Sequence, residues 1–253
     1  MDEARGSTNH LSMVDASFRL RTAEEGELWR SNHRPRHEAT EARVISQLMT
    51  VGEIDTLLHA AGPPYPPREH RMLRGTNTGP AAVYDVSEAA GHCKLYLHRG
   101  GHFSSEWPAL SEKLTNAMKT QPGFRRDATD GGPFADTFPA LSIRCVELHT
   151  YTEGGHLLGN GHRDRGSALT LSVLLTNQCD GGTFVTWKET FEGGETCNAS
   201  SREPVYHSAL APGDAILFHS EKTHNVTEVT AGVRHSLVIE LWAKEENRFD
   251  RMR

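Results

Sequence analysis

The stretch GHRDRGSALTLSVLL, residues 161–175, sets an imidazole and a carboxylate one residue apart, His162 and Asp164. A glycine-rich turn precedes them and a strand-like apolar run follows. In extended backbone, side chains at i and i+2 lie on the same face. An imidazole nitrogen and a carboxylate oxygen placed so converge on one point, two-thirds of a facial metal site. The same pair also serves as an ordinary capping or ion pair, so the spacing alone leaves both readings open. A third ligand has to come from a distant strand. The segment DAILFHSEKTHNVTEV, residues 214–229, offers His219 and His224. His219 closes an apolar strand, whereas His224 follows a short polar turn where the next strand starts.

Ten residues after His224 stands Arg234, then Ser236. Both fall on one face of the strand VRHSLVIELW (233–242), while His235, Leu237, Ile239 and Leu241 fall on the other. The mostly apolar face packs against other elements, so Arg234 points inward, where an unpaired guanidinium is costly. A buried arginine needs an anion, and its planar fork suits a carboxylate. The anion is either a ligand or an internal partner, Glu147 and Glu240 being the candidates.

These residues need a scaffold. The 253 residues suffice for one good core. A net charge of −6 offers no basic face for nucleic acid. No apolar run reaches the ~18 residues of a membrane span, and the N-terminus lacks the apolar core of a secretory signal. A cytoplasmic protein is expected. Four cysteines, Cys93, Cys145, Cys179 and Cys197, form no C-x-x-C pair and fit free thiols in a reducing compartment. Residues 1–40 are polar and predict a loosely ordered arm with a short helix, and 41–253 a single domain. Helical spacing of Val44, Ile45, Leu48, Ile54, Leu57 and Leu58 predicts a helix over 42–62. A second helix is expected over 106–120, with Pro108 near its start. Strand patterns fall at 94–98, 141–151, 168–176, 182–187, 214–219 and 233–242, separated by Gly- and Pro-rich turns. Short strands in series, with helices only before them, predict an α+β, mainly β, sandwich or barrel flanked by helices. The segments 63–80, with Arg68, Arg71 and Arg74, and 188–207 are long polar loops that either line a substrate entrance or are solvated surface loops.

In order and spacing, His162-x-Asp164, His224 and Arg234 resemble the iron(II)- and 2-oxoglutarate-dependent dioxygenases, most closely the prolyl 4-hydroxylase-like branch. YTEGGHLLGNGHRD resembles that branch's tyrosine, glycine-rich turn and H-x-D. LTLSVLLTNQCDGGTF resembles its strand, loop and Gly-Gly strand. APGDAILFHSEKTHNVTEVTAGVRHSLVIELW resembles its closing segment. The match covers about residues 141–243. The resemblance implies a double-stranded β-helix, a distorted jelly roll, with N-terminal helices packed on the major sheet. It implies Fe(II) held by His162, Asp164 and His224, with 2-oxoglutarate and O₂ as co-substrates and ascorbate as reductant. Arg234, helped by Ser236, would take the distal carboxylate of 2-oxoglutarate, and Tyr151 would hydrogen-bond it. Tyr151 also suits an amphipathic strand end. The reaction implied is decarboxylation of 2-oxoglutarate to succinate and CO₂, coupled to hydroxylation of a C–H bond in a prolyl residue, another residue or a small molecule. Leu175 stands where the oxygen-sensing members place a tyrosine near the distal carboxylate.

Other readings use the same residues. GDAILFHSEKTHN echoes the second cupin motif, but H-R-D-R-G is not the H-x-H of the first. A non-catalytic binding module of the same fold is the other alternative. A zinc hydrolase would need the H-E-x-x-H arrangement, which is absent from the sequence.

Overall fold

The computed structural model describes residues 41–62, 84–86, 91–121, 141–157, 161–188 and 203–249. The arm 1–40, the loop 63–80 and most of 188–207 lie outside them.

The order of elements is β1 (Arg43–Ile45), α1 (Val51–Ala61), β2 (Tyr84–Val86), β3 (His92–Tyr96), a 3₁₀ turn (Arg99–Gly101), α2 (His102–Glu106) and α3 (Pro108–Thr120). Strands follow: β4 (Ser142–Tyr151), β5 (Leu169–Gly181), β6 (Phe184–Lys188), β7 (Glu203–Tyr206), β8 (Ala215–His219), β9 (His224–Val226) and β10 (Val229–Trp242). Seven strands form one sheet in the order β1-β8-β5-β10-β4-β3-β2, and three form a second, β7-β6-β9. All pairings are antiparallel. The expected mainly β architecture is what the chain adopts, but the helices do not all precede the strands: β1 comes before α1, and β2 and β3 before α2 and α3.

One face of the large sheet carries the helices. Leu169, Leu171, Val173 and Leu175 of β5 and Leu237, Ile239 and Leu241 of β10 share a buried cluster with Leu57 of α1 and Leu110, Leu114 and Met118 of α3. Each such side chain removed from water contributes roughly 1.5–3 kcal/mol. The alternation that buries these residues sends Arg234, Ser236 and Glu240 to the opposite face, toward the small sheet. There a second cluster, Tyr151, Phe184, Ile216, Phe218, Val226 and Val229, joins the two sheets.

The sequence-based boundaries needed correction at the N-terminal end. The helix expected over 42–62 starts only at Val51; Arg43–Ile45 is instead an edge strand paired with Ala215–Leu217 of β8. Thr50 is the reason. Its hydroxyl accepts from the Glu53 N–H while the Glu53 carboxylate accepts from the Thr50 N–H, a capping box that fixes the helix start. The second helix begins at Pro108, where a missing N–H is harmless, and a separate turn of helix, α2, precedes it. The strand expected at 94–98 lies at 92–96, and the long polar insertion contains β7.

Candidate metal centre

The site begins with two backbone hydrogen bonds. The His162 N–H donates to the His224 carbonyl at 2.7 Å, and the His224 N–H donates to the His162 carbonyl at 2.9 Å. This isolated antiparallel bridge sets two residues 62 positions apart side by side, their rings edge to face with centroids 5.3 Å apart. Gly161 permits the approach. Its φ is +87°, and a Cβ there would lie 2.3 Å from Thr223 Cγ2, closer than any real side chain tolerates.

Asp164 joins them from below. Its N–H donates to the Ser220 carbonyl at 2.8 Å, and its carboxylate is buried. Oδ1 is 2.9 Å from His162 Nε2 and Oδ2 is 3.6 Å from His224 Nε2. The Thr170 hydroxyl donates to Oδ2 at 2.9 Å and lies 2.9 Å from the Ser220 hydroxyl. His224 Nδ1 is 3.0 Å from the Lys222 carbonyl. A carbonyl only accepts, so Nδ1 carries a proton, and Nε2 is the ring atom that faces the Asp164 carboxylate. A cation between the two would be held by both.

The donor set fits such a cation. One atom from each of His162, Asp164 and His224 falls within 4.8 Å of the others. Ligands about 2.1 Å from a common ion and roughly at right angles stand about 3.0 Å apart. Two imidazoles and one carboxylate on one face are the donors of non-haem iron(II) sites. Phe218 and Phe184 pack against the His224 ring, at 4.7 and 5.8 Å between centroids, and keep that side dry. His219, the other candidate histidine, is buried at the end of β8 opposite Leu169 and is not part of the cluster.

Arg234, Ser236 and Tyr151 come together at the other end of the same inner face. Arg234 is 3% exposed; its Nη1 donates to the Ser236 hydroxyl at 3.0 Å, and its guanidinium carbon lies 5.5 Å from the centre of the Tyr151 ring. Among the described residues Arg234 makes no ion pair. Neither acidic candidate serves it. Glu147 takes the His149 Nε2–H at 2.9 Å with Lys94 at 3.7 Å, and Glu240 faces Arg144 at 3.3 Å. Burial pulls the Arg234 guanidinium below its usual range, against the pull of Tyr151 and Cys179. Burial pushes the Tyr151 phenol up, with Arg234 opposing, so the hydroxyl keeps its proton.

A cavity opens between the two sheets. The His/Asp cluster, Tyr151 and Ser236 line it together with Lys94, Glu147, His149 and Glu240. Lys94 and His149 lie outside the residues whose types and spacing point to a site. The available signal was Glu147, His149 and Tyr151 at i, i+2 and i+4 of one strand, ionisable groups on the face opposite the core. Leu175 does not face this cavity: it belongs to the helix-side core, and Thr170 and Ser172 are the β5 residues lining the site. A second grouping, Cys145, Glu147 and Glu240, also brings its donor atoms within 4.8 Å of one another, but His149 and Arg144 already serve its carboxylates.

No family model matches the chain, and a search of curated proteins gives no match. Solved structures similar to it include 2-oxoglutarate–Fe(II) oxygenases and prolyl hydroxylases. An oxidoreductase of the 2OG-Fe(II) oxygenase family from Burkholderia pseudomallei is 16% identical, covers 98% of this chain and 99% of its own, and superposes with a TM-score of 0.47. A viral collagen prolyl hydroxylase from Paramecium Bursaria Chlorella virus-1 is 13% identical over 83% of this chain and 99% of its own, at 0.47. A prolyl hydroxylase from Trichoplax adhaerens, in complex with a hypoxia inducible factor peptide fragment, is 13% identical over 90% and 94%, at 0.46.

Proposed function

We propose that this protein is a non-haem iron(II) oxygenase that uses 2-oxoglutarate and O₂ to hydroxylate a C–H bond. The observation that carries this reading is the His162–Asp164–His224 cluster in a cavity that Tyr151 and Ser236 also line, with Arg234, a buried guanidinium with no ion pair among the described residues, against both of them. The metal cluster needs a cation and the arginine needs an anion. A keto acid with a second carboxylate answers both.

In this reading His162 Nε2, the Asp164 carboxylate and His224 Nε2 would hold the iron. Bound iron supplies the oxygen activation and the oxidative decarboxylation of the keto acid to succinate and CO₂. The chain's residues do the rest. The Lys222 carbonyl fixes the His224 tautomer, and the Thr170 hydroxyl orients Asp164. Arg234 and Ser236 take the distal carboxylate, and the protonated Tyr151 hydroxyl donates to a carboxylate oxygen. Phe184 and Phe218 exclude water on the His224 side. The two antiparallel sheets, with a cavity between them and helices outside the larger, support the double-stranded β-helix. Residues 41–253 form the catalytic domain, with 1–40 as an appended arm. The substrate is a peptide residue or a small molecule, with ascorbate maintaining the iron as Fe(II).

The test is succinate formation by the purified chain, with Fe(II), ascorbate and 2-oxoglutarate. Turnover that requires both iron and the keto acid and is lost in Asp164→Ala supports the reading. Undiminished turnover in that variant contradicts it.

A further inference from the structure

We propose that Lys94 and Glu147 form a docking point for a zwitterionic substrate of amino-acid size, its carboxylate on Lys94 and its ammonium on Glu147. This rests on the proposed function, because it assigns two charged groups lining the cavity that iron and 2-oxoglutarate do not use. The co-substrate has two carboxylates. One goes to the metal and the other to Arg234, so neither is available to a further cation.

Lys94 is that further cation. It is on β3, directly across from His149 of β4, which lies across from Ser236 of β10. The three form one row on the inner face, next to the row of His92, Tyr151 and Arg234. The Lys94 side chain is 16% exposed and lines the cavity that holds the His/Asp cluster. An ammonium has three donors to place. Among the described residues Lys94 makes no side-chain hydrogen bond, and its one ion-pair partner is Glu147 Oε2 at 3.7 Å. That gap is too wide for a hydrogen bond. Glu147 takes a close donor, His149 Nε2 at 2.9 Å, and its two oxygens have lone pairs for more.

The result is an ion pair held at 3.7 Å, outside hydrogen-bond contact, facing one cavity in surroundings that screen charge poorly. A buried pair without a close hydrogen bond recovers less of its desolvation cost than one in contact. A ligand bearing both a carboxylate and an ammonium on one carbon satisfies each with a close contact, and leaves the pair's net charge unchanged. A simple carboxylate satisfies only Lys94. A neutral amide satisfies neither well.

The experiment uses the full chain loaded with Mn(II), a redox-inert stand-in for iron, with saturating 2-oxoglutarate and no O₂. Free α-amino acids, each paired with its own carboxamide, are titrated and followed by calorimetry. At least one free amino acid should bind, its carboxamide at least about tenfold more weakly. Lys94→Met should weaken that amino acid by a similar factor and Lys94→Arg should restore it, while both variants still bind 2-oxoglutarate, which reports that they are folded. Equal affinity for acid and amide, unchanged affinity in Lys94→Met, or no amino acid bound while 2-oxoglutarate binds, overturns the docking point and leaves the proposed function standing. If wild type fails to bind 2-oxoglutarate at all, the underlying function fails and the docking point with it.

Discussion

At the scale of single residues, the decisive contrast is between Arg234 and the other buried charges. Glu147 and Glu240 are paired inside the protein; among the described residues Arg234 has only the Ser236 hydroxyl and the face of Tyr151. An arginine kept buried without an anion costs stability, and a methionine of similar reach removes that cost. Arg234→Met should therefore melt no lower than wild type in the ligand-free state, measured by scanning calorimetry. The same variant should lose ~30-fold or more in 2-oxoglutarate affinity, the scale of truncating one partner of a buried charge pair. A drop in ligand-free melting temperature with unchanged affinity would mean that Arg234 is structural. Thr170 gives a second prediction. Thr170→Val keeps the shape and removes the donor to Asp164 Oδ2. Metal affinity, read by Mn(II) titration, should fall about 10–100-fold with the fold intact.

At the scale of elements, the site depends on two short features that periodicity does not announce. β9 is three residues long, and His162 meets it through a single bridge. Such pieces carry no alternation to detect. His224 was legible only because His-x-Asp upstream and Arg234 downstream framed it, and geometry then separated it from His219. The faces of β10 were legible because Leu237, Ile239 and Leu241 alternate with Ser236 and Glu240 over a full strand. The start of α1 was not, because Val44 and Ile45 continue the helical spacing backward into what is an edge strand. A capping box outweighs that periodicity, and it makes its own prediction. Thr50→Ala should destabilise the domain by about 1 kcal/mol, a fall of ~2–4 °C in melting temperature, without changing metal affinity. Gly161→Ala should act the opposite way. Its Cβ would push Thr223 and part the His162–His224 bridge, so metal binding should fall more than stability does.

At the scale of the whole molecule, the interior between the sheets is unusually rich in ionisable groups for a core. Burial, first, and neighbouring His149 hold His92 down to about 2. Burial likewise lowers His98, His207 and His235. In the unfolded chain these histidines take up protons near pH 6.5, so below that value the unfolded state binds more protons than the folded one. The stability they contribute is complete above about pH 6.5 and declines toward the lower folded values. The metal-free protein should thus melt progressively lower from about pH 7 to pH 5, and His92→Gln should remove part of that decline. A melting temperature independent of pH over that window would contradict the buried, neutral assignment. The central claim, that one cavity binds iron through His162, Asp164 and His224 and a keto acid through Arg234, is tested most directly by anaerobic titration. The Fe(II)-loaded protein is titrated with 2-oxoglutarate and watched for the weak visible absorption of a keto acid chelating iron. Wild type should develop the band with a saturable midpoint, Arg234→Met should need far more 2-oxoglutarate, and Asp164→Ala should show none. A wild-type protein that retains iron but develops no band, or a band unaffected by Asp164→Ala, would contradict the claim.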